Sequence, residues 1–185
     1  MDRRFWSVSA RELRGQLVVL VVVLWALAAV NTITPGPRYR SGQLKGADFL
    51  HFYVLGEIAA AGRADILYDA PAQHARQVSL VPASKDTWFV PIYGPQTALV
   101  FMTLARLPYL WAALCWSLLT GVGYAACVWL VWRRLPGLRA SGGNVLLAAA
   151  AFPPFYSLLQ HGQTSVIPLL CVSGAFLALC GEHRA

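Results

Sequence analysis

The residues able to do chemistry are an aspartate, a histidine three places after it, and a polar turn far downstream. Asp48 stands in "KGADFLHFYVLGEI", residues 45–58, between a glycine and an aromatic run. Residues 47–62, "ADFLHFYVLGEIAAAG", have helical character, with Gly46 in front and Gly62 where a carboxyl-terminal cap falls. Asp48 therefore opens a helix, and two readings fit it there. Its oxygens can accept bonds from free backbone amides while its charge faces the positive end of the helix dipole, or it belongs to a site. His51 lies one turn on, so Asp48 and His51 could both face a metal; two ligands make no complete site, and no protein-bound metal is expected. Downstream, "QHGQTS" at 160–165 sets His161 and Gln163 in a turn. That turn serves either capping or a site shared with Asp48.

These groups sit in a chain that is 57% hydrophobic and 12% charged, with a mean hydropathy of +0.53. The apolar residues are gathered into four runs without Asp, Glu, Lys or Arg: 17–33, 107–132, 143–160 and 164–181. A bilayer span needs about 20 such residues. The expected fold is an all-α integral membrane protein with about four transmembrane helices in a single membrane domain. A fifth stretch, 91–105, is uncharged but short of the usual span, so it reads as interfacial or re-entrant. Arg3, Arg4, Arg11 and Arg14 before the first run hold the amino terminus in the cytoplasm, and four spans put Arg133, Arg134, Arg139 and Arg184 on the same side. A fifth span would force "RRLPGLR" outside. Basic residues, an apolar run and "ALA" at 26–28 also describe a cleavable signal peptide, but the later spans make an uncleaved anchor the simpler reading.

The net charge of +7 comes without a basic helix or aromatic-basic interleaving, so no nucleic acid partner is expected. Cys115, Cys127, Cys171 and Cys180 lie inside apolar runs without CxxC spacing and read as small packing residues.

Residues 34–106 form an outside loop too long for a simple connection. Phe49, Phe52 and Tyr53 give its first helix an oily character that suits the membrane surface, holding Asp48 at the boundary of water and lipid. "DAPAQHARQVSL" predicts a second helix with Asp69 just before it and Pro71 in its first turn. Trp88, Phe89 and Tyr93 then return the chain to the membrane as an interfacial belt. In the third run, "AFPPF" at 151–155 must bend or interrupt the helix. A broken span is also found in transporters, yet no ionisable residue except the bordering His161 falls within a run, whereas transport routes place such groups near the bilayer middle.

"GADFLHFY", "ILYD" at 66–69, "VPIYGPQTALVFMTLARLP" at 90–108 and "HGQTSVIPLL" at 161–170 together resemble the glycosyltransferase family 87 membrane proteins, also called DUF2029. The family is similar to the GT-C class, integral membrane enzymes that take a sugar from a polyprenyl phosphate and use an Asp in the first outside loop. The resemblance implies a GT-C-like fold with juxtamembrane helices in that loop, and a hexosyltransferase, a mannosyltransferase first, with Asp48 as general base. It implies a polyprenyl-phosphate sugar donor, a glycolipid or glycan acceptor, the lipid bilayer as surroundings and no cofactor. Arg38, Arg40, Lys45 and Lys85 are the loop cations for a departing phosphate, each also explained as a solvated charge, and His51, Tyr93, His161 and Gln163 complete the expected substrate-binding set. The chain lacks the DxD pair of soluble nucleotide-sugar transferases, in keeping with a lipid-linked donor. It departs from the family with "YGPQ" where relatives often show a proline pair, and with Thr164 and Ser165 where an Asn is common. Members usually run to about twice this length. The chain therefore resembles their amino-terminal half: a fragment, a degenerate copy, a non-catalytic scaffold, or one part of a split enzyme whose remaining helices a second chain supplies.

Overall fold

The computed structural model describes residues 9–182, with side chains to residue 179. Arg3, Arg4 and Arg184 lie outside the described residues. Helix α1 (Ala10–Thr32) starts from a capping box in which the Ser9 hydroxyl accepts the Glu12 amide at 3.2 Å and the Glu12 carboxylate accepts the Ser9 amide at 2.8 Å. It thus begins ahead of the apolar run, taking in Arg11 and Arg14. Helix α5 (Tyr109–Arg134) is the second long apolar helix, and these two are long enough to cross a membrane. Between them lie α2 (Ala47–Ala60), α3 (Ala70–Leu80) and α4 (Pro95–Phe101), with 3₁₀ turns at 64–66, 82–84 and 104–106. After α5 come α6 (Pro136–Arg139), α7 (Gly142–Ala150), α8 (Pro153–His161) and α9 (Val166–Glu182). Among the described residues there is no strand, only an isolated bridge between Arg38 and Leu44.

Of the four expected spans, two are single long helices and two take other forms. The expected third span is a pair, α7 and α8, bent by 45°, and the fourth is the 17-residue α9. Two or three helices are candidates to cross the membrane, the third only if the bent pair acts as one. The bend has a local cause. In an unbroken helix the carbonyls of Ala149 and Ala150 would receive the amides of residues 153 and 154, and both are prolines without N–H. Two other helices supply donors instead: the Tyr124 hydroxyl of α5 reaches the Ala149 carbonyl at 2.9 Å, and the Trp25 indole of α1 reaches that of Ala150 at 3.0 Å. A backbone break inside lipid requires such replacements, because no water is there to make them.

The loop between α1 and α5 is a small globule built around α2. Phe49 through Gly56 and Ile58 are all buried, so this helix is enclosed on every side. The expectation that α2 lies on the membrane surface is corrected on this point: its oily side chains face protein. Phe49 stacks among Tyr53, Phe101, Tyr109 and Trp116, with ring centroids 6.1, 6.0, 6.0 and 6.5 Å away. Helix α4 crosses α2 at Gly56, where an added Cβ would stand 2.6 Å from the Phe101 backbone. Helix α4 has only seven residues, in line with the reading of 91–105 as too short to span. Helix α3 starts as expected, with the Asp69 carboxylate accepting the Ala72 amide at 3.0 Å and Pro71 in the first turn.

Candidate functional site

The carboxyl-terminal end of α8 is seated on the first turn of α2. The Gly46 amide donates to the Gln160 carbonyl at 3.0 Å, and the Tyr39 hydroxyl donates to the same oxygen at 2.7 Å. The Trp116 indole holds the Gly162 carbonyl at 3.0 Å, while the Tyr109 hydroxyl holds the Lys45 carbonyl at 2.7 Å. Gly162 ends α8 with φ +69, and an added Cβ would lie 2.5 Å from the Phe49 Cβ. Only glycine meets both demands, the left-handed backbone and the close approach. The fold thereby brings the "HGQ" turn to the Asp48 helix, two segments more than a hundred residues apart in the chain.

Asp48 is half-buried in the first turn of α2. The N-cap is Gly46, in the left-handed conformation, and no side chain caps the helix. The expectation that Asp48 accepts the free amides is corrected accordingly: among the described residues its carboxylate takes no hydrogen bond or ion pair, and only its charge complements the helix dipole. His51, one turn on, is 6% exposed. It stacks on Phe89 at 4.8 Å and meets the edge of Tyr93 at 5.2 Å, and its Nε2 has no hydrogen-bond partner. Burial lowers its pKa, opposed by Gln73 and by the Asp48 charge, so the ring is held toward its neutral form.

The loop cations divide. The Arg38 guanidinium is committed to the carbonyls of Gly42 at 2.6 Å and Ala83 at 2.5 Å, and the Lys45 ammonium to that of Thr34 at 2.7 Å. Arg40 and Lys85 are exposed, and among the described residues their side chains are uncommitted. His161 turns back on its own helix, with Nδ1 2.9 Å from the Ser157 carbonyl; Gln163 is half-buried and its side chain bonds nothing among the described residues.

Between α2, α4 and the start of α9 lies a cavity of about 280 Å³, walled by Phe52, Tyr93, Gln96, Thr97, Thr164 and Ile167 among others. Of the expected site residues it includes Tyr93; Gln96 and Thr97 were not anticipated. Their signal is the pair of polar residues directly after "YGP" in an otherwise apolar, uncharged stretch. A second cavity of about 230 Å³ lies between α5 and the α7–α8 pair, walled by Tyr124, Trp129, Trp132 and Phe155 without a carboxylate, histidine or cation. The first cavity likewise has no carboxylate, histidine or cation in its wall, but it carries the Gln96 amide and the Thr97 and Thr164 hydroxyls; a further cavity of about 280 Å³ between α2 and α3 is walled by Glu57, Arg63 and Arg76.

Residues 91–185 match the profile of glycosyltransferase family 87, just over half of the chain. The chain belongs to this family. Membership indicates a glycosyltransferase, and with the long apolar helices a membrane-embedded one. No curated protein and no solved structure matches the chain. The family 87 match begins at Pro91, so it takes in Tyr93, Gln96, Thr97, His161, Gln163 and Thr164, while Asp48, His51 and the loop cations precede it. The two segments that wall this first cavity from α4 and α9 both lie inside the family 87 match.

Proposed function

We propose that this chain is an inverting glycosyltransferase of GT-C type in the cell membrane, its amino terminus cytoplasmic and its site on the outer face. It moves a hexose, mannose being the family-based favourite, from a polyprenyl phosphate to a hydroxyl of a glycolipid or glycan. Asp48 takes the acceptor proton as the acceptor oxygen bonds to the anomeric carbon; the carbon–oxygen bond to the lipid phosphate breaks on the opposite face and the phosphate keeps the electron pair. The observation that carries this reading is the seating of the family-matched "HGQ" turn on the first turn of the Asp48 helix. A carboxylate that caps no amide keeps its lone pairs for a hydroxyl. The adjoining cavity, near the lower end of the roughly 300–1,000 Å³ range of ligand sites, suits one sugar unit, with Tyr93, Gln96, Thr97 and Thr164 as hydroxyl partners. Arg40 and Lys85 are the loop cations uncommitted among the described residues and able to meet a departing phosphate, whereas Arg38 and Lys45 are held by carbonyls and shape the loop.

The test is sugar transfer from a radiolabelled polyprenyl-phosphate hexose in membranes, with Asp48→Asn beside the parent at equal expression. Loss of a general base lowers the rate by about 10²–10⁴. Unchanged transfer by Asp48→Asn removes Asp48 from the chemistry. No transfer by the parent overturns its reading as an enzyme on its own and points to a scaffold, or to a second chain that completes it.

A further inference from the structure

The cavity between α2 and α3 has no part in the chemistry proposed above. Glu57 and Ile58 wall it from the last turn of α2, Ala61 and Arg63 from the turn that ends that helix, and Ile66 and Arg76 from the chain that follows. Each arginine is anchored along one edge only. The Arg76 guanidinium donates to both Glu57 oxygens, with Nε at 2.7 Å, and the Arg63 guanidinium to both Asp65 oxygens, with Nε at 2.9 Å and Nη2 at 2.8 Å. The Nη1 donors of both are uncommitted among the described residues. The Glu57 side chain is 17% exposed, so its remaining lone pairs lie in a wall with little water, where a hydrogen bond gains more than in solution. This set selects its ligand. An anion would meet the Glu57 charge and the negative end of the α2 dipole, and a cation would meet two guanidinia. A neutral polyol meets neither penalty, because each hydroxyl both donates and accepts. Neighbouring hydroxyls can donate to Glu57 and accept from Arg63 or Arg76, while the C–H face of a ring lies on Ile58, Ala61 and Ile66. The volume, about 280 Å³, is that of the cavity beside Tyr93.

We infer that this cavity is a second sugar-binding site, which takes one neutral hexose unit of a glycan, and that it tethers the acceptor. Glu57 follows Asp48 by nine residues, two and a half helical turns, so the two carboxylates lie about 13.5 Å apart along α2 and on opposite sides of it. A sugar held beside Glu57 is therefore not the one that reacts. It belongs to another unit of the same glycan, and holding it raises the local concentration of the reacting end without touching the chemical step. The tether rests on the proposed role of Asp48; the binding of a neutral sugar does not.

The test titrates the full chain, in phosphatidylcholine nanodiscs free of glycoside detergent, with a linear mannotetraose, and reads binding by saturation-transfer NMR. Two variants leave the Glu57–Arg76 pair intact: Arg63→Ala removes donors, and Ala61→Trp fills the cavity from an exposed position. Each weakens binding by about 10-fold or more at an unchanged melting temperature, and inorganic phosphate does not displace the tetraose. Equal binding by the parent and a folded variant overturns the site, as does a parent that binds no tetraose. Displacement by phosphate overturns the choice of a neutral sugar and makes the cavity an anion site. Transfer then tests the tether, with the tetraose and methyl mannoside as acceptors. Arg63→Ala raises KM for the tetraose, leaves kcat unchanged and does not alter the kinetics with the monoside. A tetraose KM that Arg63→Ala leaves unchanged overturns the tether alone, as does a parent that uses the monoside and not the tetraose. A parent without transfer to either removes the proposed chemistry and the tether with it, and leaves the binding result standing.

Discussion

Trp25→Phe removes the donor that the Ala150 carbonyl acquired when Pro154 took its normal partner away. The phenyl ring keeps most of the packing, since the Trp25 contacts with Phe155 and Tyr156 are loose ones, 6.3 Å between centroids in both cases. The lost hydrogen bond, 3.0 Å long and donated by a side chain 40% exposed, is a single interhelical bond of the kind that contributes ~0.6–1.7 kcal/mol inside membranes. Unfolding in mixed micelles of a mild detergent and dodecyl sulfate reads this as an unfolding constant raised by about 3- to 20-fold. Tyr124→Phe costs less, because the Ala149 carbonyl also receives the Phe152 amide at 3.4 Å. The decisive comparison repeats Trp25→Phe in a chain with Pro153→Ala and Pro154→Ala, where both amides return and the helix can satisfy its own carbonyls. There the cost of Trp25→Phe shrinks toward zero. An equal cost in both backgrounds refutes the account, because the tryptophan would then act through packing and not through the orphaned carbonyl.

Gly162→Ala places a side chain on left-handed backbone, at ~1–2 kcal/mol, and drives a methyl into Phe49, at a further ~1–3 kcal/mol. The expected result is a lowered melting temperature with transfer lost, and a chain of parental stability and activity would remove the seating of the turn from the site. His51 predicts a pH dependence of stability. Its folded pKa is lowered by burial, so as pH falls below its unfolded pKa of about 6.5 the unfolded chain takes up a proton that the folded chain refuses. Stability therefore declines from near neutrality downward until the folded pKa is reached. His51→Phe flattens that limb in thermal unfolding at stepped pH, and an unchanged limb assigns the proton to another group.

Much of the membrane character was legible because it is a property of runs of residues, and a run is visible without partners. The helix start at Ser9 was missed for the complementary reason: Arg11, Glu12 and Arg14 interrupt the apolar pattern, while the capping box that starts the helix is a local signal independent of it. The all-round oiliness of 47–58 was visible too, but oil has two explanations, lipid and protein. Choosing between them needs α4 and the "HGQ" turn, whose approach depends on Gly56 and Gly162 meeting chain far away in sequence. The role of Gly46 shows the same limit. Its left-handed φ moves the N-cap ahead of Asp48, and nothing in "KGADF" says whether Gly46 or Asp48 will take that position. Gln96 and Thr97 look like ordinary residues after a Gly-Pro turn until Thr164 is placed across the cavity from them.

The proline pair joins these levels. In sequence it marks a break, and a break in isolation would only weaken a span. The Trp25 and Tyr124 donors turn it into a fixed angle, since the two freed carbonyls are bonded from α1 and α5 and the joint has no loose partner to hinge on. Helix α8 is nine residues long, about 13.5 Å, so a 45° change of direction at its base moves its far end by about 10 Å. That far end is the "HGQ" turn, and its bond to Gly46 tolerates a few tenths of an ångström. Straightening α7 and α8 would therefore withdraw the turn from Asp48 altogether. The position of the turn is thus decided by two missing amides and by the two side chains that replace them.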